Sequence, residues 1–340
     1  MKAWKVTNER SVELVDMGAQ PVAENCVKLK MLTALVDTHE SSLYKKGGNS
    51  LPLIAGRQGV GMVTEVGANV TAFKRGDKVF IRPVSPCGKC SNCKNGRKSE
   101  CEHSYVYGKT EDGVLRDFIT VPQTDLILLP QQVDETEGVF IEQVALAVET
   151  LDRLKIEKGE HIVILGATLA GLIIAQAAIY YQAVPILVDL REDRLALAEK
   201  LGIYYTINAV ETDPVKKVFS ITCGKMAETM VYTLLSGMTV RRSFENLVRG
   251  GRVAFVGFDD MEADLSADLM PALGKELVIY MVSSAGDNYY SAVNMLVSSA
   301  VDVKSLVSSR IEFDKIGQAI AEVADNEKKY IALLVDATKI

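Results

Sequence analysis

The stretch "HIVILGATLAGLIIAQAAIYYQAVPILVDL", residues 161–190, decides the architecture. From Ile162 to Val188 it contains no charged residue, and by length alone it would span a bilayer. Gly166, Gly171, Gln176, Gln182 and Pro185 punctuate the run, however. It divides into a short β-branched strand ("HIVIL"), a glycine turn, a buried helix ("LAGLIIAQAAIYY") and a second strand ("PILVDL"). This is a βαβ unit of a water-soluble domain, so no membrane partner is expected.

Outward from this unit the pattern splits in two. Up to about residue 135, short alternating runs ("VKLKML", "GMVTEV", "DKVFIRP", "DFITVP") are separated by Gly, Pro and Asp signals, as in a β-rich domain. From about 144 to 285 strands alternate with helices: "RLALAEKLG" with Gly202 at its end, then "MVYTLL", "RVAFVGF" and "ELVIYMVSS". That order predicts a doubly wound parallel sheet. Two amphipathic helices near "NYYSAVNMLVSSA" and "FDKIGQAIAEVA" and a last strand, "IALLVDA", complete the chain. Residues 44–50, "YKKGGNS", read as a loop with Lys45 and Lys46 solvated.

At 340 residues the chain exceeds one ordinary hydrophobic core, so two domains are expected. A net charge of -6 without a long basic run argues against nucleic acid. The N-terminal "MKAWKVTNER" has neither the apolar segment of a secretory signal nor the Arg-rich amphipathic character of a transit peptide, and a cytoplasmic location is expected.

Cys87, Cys90, Cys93 and Cys101 form C-x2-C-x2-C-x7-C in a loop rich in Gly, Lys and Asn. Four thiolates at this spacing suit one tetrahedral zinc, and four sulfurs leave no open position, so the predicted site is structural. The alternatives are chance loop cysteines or a disulfide; four of six cysteines within one lobe favour the metal. Cys26 and Cys223 stand alone and read as buried fillers.

The four-cysteine lobe, the preceding "PLIAGRQGVGMVTEVGANVTAFKRGDKV" and the βαβ unit together resemble the medium-chain dehydrogenase/reductase family of zinc alcohol and polyol dehydrogenases, over essentially the whole chain. The resemblance implies an α/β protein with a GroES-like β domain (1–143 and 286–340, with the zinc lobe at 87–101) around a Rossmann domain (144–285). It further implies an active site in the cleft between them, a small-molecule substrate, and a homodimer or homotetramer.

The resemblance also exposes departures. Where the family reads Gly-His-Glu, with a His that binds a catalytic zinc and a Glu on or beside it, this chain has Arg57 and Gln58. Where the family has a ligand Cys before Gly, Ser/Thr and Asp, it reads "LVDTHE", with Val36 in place of the cysteine. Glu142, in "FIEQVALA", matches an acidic position beside the metal in polyol dehydrogenases, and one carboxylate does not hold a catalytic zinc. Arg57 is expected either to pair with Glu142 near the former metal position or to extend to solvent. Ala332 replaces a basic residue that members aim at the Glu of Gly-His-Glu. The candidates for catalysis are therefore Thr38, at the family's proton-relay hydroxyl, with His39, Tyr44, Arg57 and Glu142. Each has a plain alternative: Thr38 as a helix cap, Tyr44 as packing, His39 as a local hydrogen-bonding group.

"GATLAG" places Gly166 and Gly171 at the first and third glycines of a dinucleotide fingerprint, between strand and helix. Thr168 occupies the second, where its hydroxyl either donates to the pyrophosphate or its bulk loosens that contact. Asp189, 23 residues after Gly166, suits a ribose 2′-hydroxyl and repels a 2′-phosphate. NAD(H) is thus favoured over NADP(H), with Arg191 the opposing sign. By resemblance Arg194 reaches the same ribose, and Leu172, Val256 and Gly257 join the cofactor surface. These features predict an NAD(H)-dependent oxidoreductase without catalytic zinc, reducing a conjugated carbonyl or imine. The rivals are a dehydrogenase of a polyol or anionic alcohol and a nucleotide-binding pseudoenzyme.

Overall fold

The computed structural model describes residues 1–18, 21–47, 51–234, 242–257, 269–326 and 329–338. The chain forms two compact units, Met1–Glu142 with Val303–Ile340, and Gln143–Asp302.

The first unit is built on strand Cys26–Val36, whose buried residues alternate and then run together at its end. Along one edge it pairs antiparallel with Gln58–Val66. Along the other it pairs with Phe118–Pro122 near its start and with Ala332–Asp336 near its end. The C-terminal strand therefore completes a sheet begun by the N-terminal segment. Trp4 Nε1 donates to Phe313 O at 2.7 Å, and a Cβ on Gly317 would lie 2.5 Å from the Trp4 ring, so the first strand and helix Ile316–Asp325 are locked together. The register Leu35↔Gln58 sets the ends of two neighbouring strands beside each other, which brings 36–37 close to 57–58.

In the second unit the described strands are all parallel, in the order Tyr205–Asn208, Val184–Asp189, His161–Leu165, Ala227–Tyr232, Leu247–Val256, Val278–Val282. The order reverses between His161–Leu165 and Ala227–Tyr232, the point at which doubly wound sheets bind ligands. Helix Leu169–Tyr180 buries every residue from Gly171 to Ala178, which accounts for the charge-free run in the sequence. No helix among the described residues is long and apolar enough to cross a membrane.

Three expectations are corrected. Segment 286–302 belongs to the second unit rather than the first: Asn288 Nδ2 donates to Glu149 Oε2 at 2.8 Å and Asp302 N to Gln176 Oε1 at 2.7 Å, fastening both ends of helix Tyr289–Val297 there. Tyr44, Lys45 and Lys46 close helix Thr38–Lys46 instead of starting a loop, and residues 48–50 lie outside the described residues. Cys223 is exposed, in a turn with φ of 52°, and Cys26 is only partly buried.

Candidate functional site

The cysteine lobe grows from a two-stranded ribbon, Val84–Ser85 against Tyr105–Val106. The four Sγ atoms lie within 4.8 Å of one another. A zinc tetrahedron with bonds near 2.3 Å requires sulfur separations of about 3.8 Å, so the donors fit one ion with little rearrangement. Backbone N–H groups already point at the sulfurs: Lys89 and Cys90 donate to Cys87 Sγ at 3.4 Å, and Cys93 to Cys90 Sγ at 3.5 Å. Those of Lys89 and Cys90 lower the Cys87 thiol to about 6, favouring the thiolate a metal needs. Below the lobe, Asp125, 1% exposed, grips both legs of the ribbon. Its Oδ1 accepts from Ser85 Oγ (2.5 Å) and Thr124 Oγ1 (3.1 Å), and its Oδ2 from Tyr105 OH (2.6 Å) and Tyr107 OH (2.8 Å).

The altered metal position begins at Val36, 2% exposed. Asp37 caps helix Thr38–Lys46: its Oδ1 accepts from His39 N at 2.8 Å while Glu40 Oε2 accepts from Asp37 N at 2.9 Å, a reciprocal capping box. The cap is thus Asp37, and Thr38 is the exposed first residue of the helix. His39 is buried, with Nε2 3.1 Å from Gly108 O. A carbonyl only accepts, so Nε2 carries the proton. Gln58 is also buried, and its Nε2 reaches Asp37 Oδ2 at 3.5 Å. Gly56, with φ of 99°, is held close beside it: a Cβ on Gly113 would sit 2.2 Å from Gly56 O. Arg57 is half-buried with Nε enclosed, and Glu142 is 6% exposed at the start of helix Ile141–Leu154. Tyr44 packs against the hydrophobic core of the first unit. Ala332, buried at the start of its strand, leaves no basic side chain at that position.

Glu40 was not among the sequence candidates, yet it is 1% exposed. Burial, then the neighbouring Asp37, pushes its carboxyl up to about 8, with His39 pulling the other way. The Asp-x-x-Glu spacing of a capping box was the signal available in the sequence.

At the nucleotide turn, Gly166 has φ of 106° and a Cβ there would meet Leu234 Cβ at 2.8 Å. A Cβ on Gly171 would sit 2.0 Å from Gly166 O, so both glycines are obligatory. Thr168 sits in extended backbone as the N-cap of Leu169–Tyr180. Its Oγ1 accepts from Gly171 N at 3.1 Å and donates to Thr233 Oγ1 at 2.9 Å, which in turn donates to Gly166 O at 2.9 Å. The hydroxyl is therefore spent on bracing the turn rather than presented to a phosphate, and Thr233 is the partner the sequence did not reveal. The helix N-terminus and close-packed glycines fit a pyrophosphate. Asp189 Oδ2 accepts from Ala167 N at 2.6 Å and Oδ1 from Arg191 N at 2.9 Å, which fixes the carboxylate at the strand end. Arg194 is buried with Nη1 3.5 Å from Ala167 O. Leu172 is fully buried, Val256 ends its strand, and Gly257 follows at φ of 77°.

Residues 24–131 match the alcohol dehydrogenase GroES-like domain and residues 170–299 the zinc-binding dehydrogenase domain. An uncharacterized zinc-type alcohol dehydrogenase-like protein of Haemophilus influenzae is 32% identical over 292 residues, 85% of each chain. Sorbitol dehydrogenase of Bacillus subtilis is 25% identical over 98% of this chain and 97% of its own. In fold, an Escherichia coli oxidoreductase/dehydrogenase of unknown specificity superposes with a TM-score of 0.92 at 24% identity, covering 99% of both chains. The chain belongs to the zinc-type alcohol dehydrogenases of the medium-chain dehydrogenase/reductase family and is an oxidoreductase of that family.

Proposed function

We propose that this oxidoreductase uses a nicotinamide dinucleotide, NAD(H) in preference, together with one structural zinc, and transfers hydride without a catalytic zinc. The observation that carries the reading is the identity of the side chains at the metal position: Val36, Arg57 and Gln58 offer no thiolate, imidazole or carboxylate. Glu142 remains as one acidic group where three protein ligands are the rule. Bound nicotinamide supplies the hydride; the chain must supply the charge stabilisation that a Lewis acid would otherwise provide.

Arg57 is a permanent cation at this position, of the kind that stabilises a developing oxyanion. Thr38 and His39, at the start of one helix, are the candidates for passing a proton, the former exposed and the latter buried. Such a site suits an acceptor already activated, a conjugated carbonyl or an imine, better than an isolated ketone. Tyr44 has its place in the packing of the first unit's core.

A second reading, oxidation of a polyol or anionic alcohol held by Arg57, is favoured by the likeness to sorbitol dehydrogenase. One experiment separates the two: count zinc in the purified protein, then assay NADH oxidation with conjugated carbonyls and imines beside NAD+ reduction with polyols. We expect about one zinc per chain and turnover of the activated acceptors. Two zincs per chain would refute the metal-free reading, and turnover of polyols alone would refute the reduction of activated acceptors in favour of the second reading.

A further inference from the structure

We infer that Asp193 is a specificity-determining residue that keeps the nearby Arg191 away from a 2′-phosphate; the inference rests on the nicotinamide reading above. Arg191 follows Asp189 by two residues, at the end of strand Val184–Asp189, where a guanidinium ordinarily welcomes the phosphate of NADP(H). In this chain its side chain is turned along the next helix instead. Nε donates to Asp193 Oδ1 at 3.0 Å and Nη2 to Asp193 Oδ2 at 2.5 Å, a two-pronged fork on one carboxylate. Arg191 N is also committed, to Asp189 Oδ1.

Asp193 acts in two ways. It occupies two donors of Arg191 in the planar geometry a phosphate would use, and it adds a second negative charge beside Asp189. Selection against NADP(H) thus has two layers: repulsion by Asp189, and sequestration of the arginine two residues beyond it. The pair is partly exposed, with side-chain exposures of 36% and 64%, so its removal leaves the fold intact.

The test is a fluorescence titration of the whole protein with NADH and with NADPH. Wild type is compared with Asp189→Ser, Asp189→Ser/Asp193→Asn, and the latter with Arg191→Gln added. Asp189→Ser/Asp193→Asn should bind NADPH at least about fivefold more tightly than Asp189→Ser alone, with the gain shrinking at high salt. Adding Arg191→Gln should abolish it. No gain from Asp193→Asn, or a gain that survives without Arg191, would overturn the sequestration while leaving the cofactor reading in place. Wild type that binds neither nucleotide would overturn the cofactor reading and this inference with it.

Discussion

Glu40 and Thr168 show how single side chains in this protein are committed to local geometry before any ligand arrives. Thr168 stands where the fingerprint has a glycine, and it is tolerated because its backbone is extended and its hydroxyl caps the helix. Gly166 and Gly171 have no such freedom, since a side chain at either would overlap backbone or Cβ atoms. Glu40 contributes a pH dependence. Its folded carboxyl titrates near 8 rather than 4.5, so its contribution to stability is complete below about pH 4.5 and is lost as pH rises through about 8. Glu40→Gln keeps the capping box, because Gln serves at the same position, and removes the ionisation. Thermal melts should show the variant more stable than wild type at pH 9 by ~2 °C or more, on the order of 1 kcal/mol, with the gain vanishing toward pH 5. Equal pH profiles would refute the assignment.

At the scale of elements, the zinc lobe hangs from a ribbon whose two legs meet on one buried carboxylate. Burial first, then its hydrogen bond to Asp125, holds the Tyr105 phenol up at about 12, and burial with the Asp125 charge raises Tyr107 as well, so both remain donors throughout the ordinary pH range. Asp125→Asn replaces two acceptor oxygens by one oxygen and an amide donor, so some of the four hydroxyls lose their partner. Zinc release to a chelator should accelerate at least about tenfold, as expected for loss of charge-assisted buried hydrogen bonds. Ile119→Val, a core truncation in the larger sheet of the same unit, should lower the melting temperature without that acceleration. Unchanged release from Asp125→Asn would show that the lobe holds zinc independently of its base.

On the scale of the whole molecule, the altered metal position would, by the family resemblance, draw on three separated segments, at 36, at 57–58 and at 142. Strand register accounts for the proximity of the first two. If only ligand identity was lost, Val36→Cys, Arg57→His and Gln58→Glu together, with Glu142 in place, should raise zinc from one to two per chain, since three protein ligands suffice for an open site. A correctly folded variant that still holds one zinc would show that the supporting side chains have also changed.

The sequence by itself determined the class. Charge-free and β-branched runs bounded by glycines define the βαβ unit, cysteine spacing defines the lobe, and residue identity at 36, 57 and 58 defines what the site lacks. These are legible because periodicity, turn chemistry and ligand type are local properties. Only the tertiary structure decided which partners those residues take. The fork between Arg191 and Asp193, the hydroxyl chain from Thr168 to Thr233, and the four donors on Asp125 depend on side-chain direction and strand register. The place where the chain leaves the parallel-sheet unit, at Asp302 rather than near 286, is likewise fixed by hydrogen bonds to Glu149 and Gln176. Such bonds join residues more than a hundred positions apart, and no local pattern in the sequence encodes them.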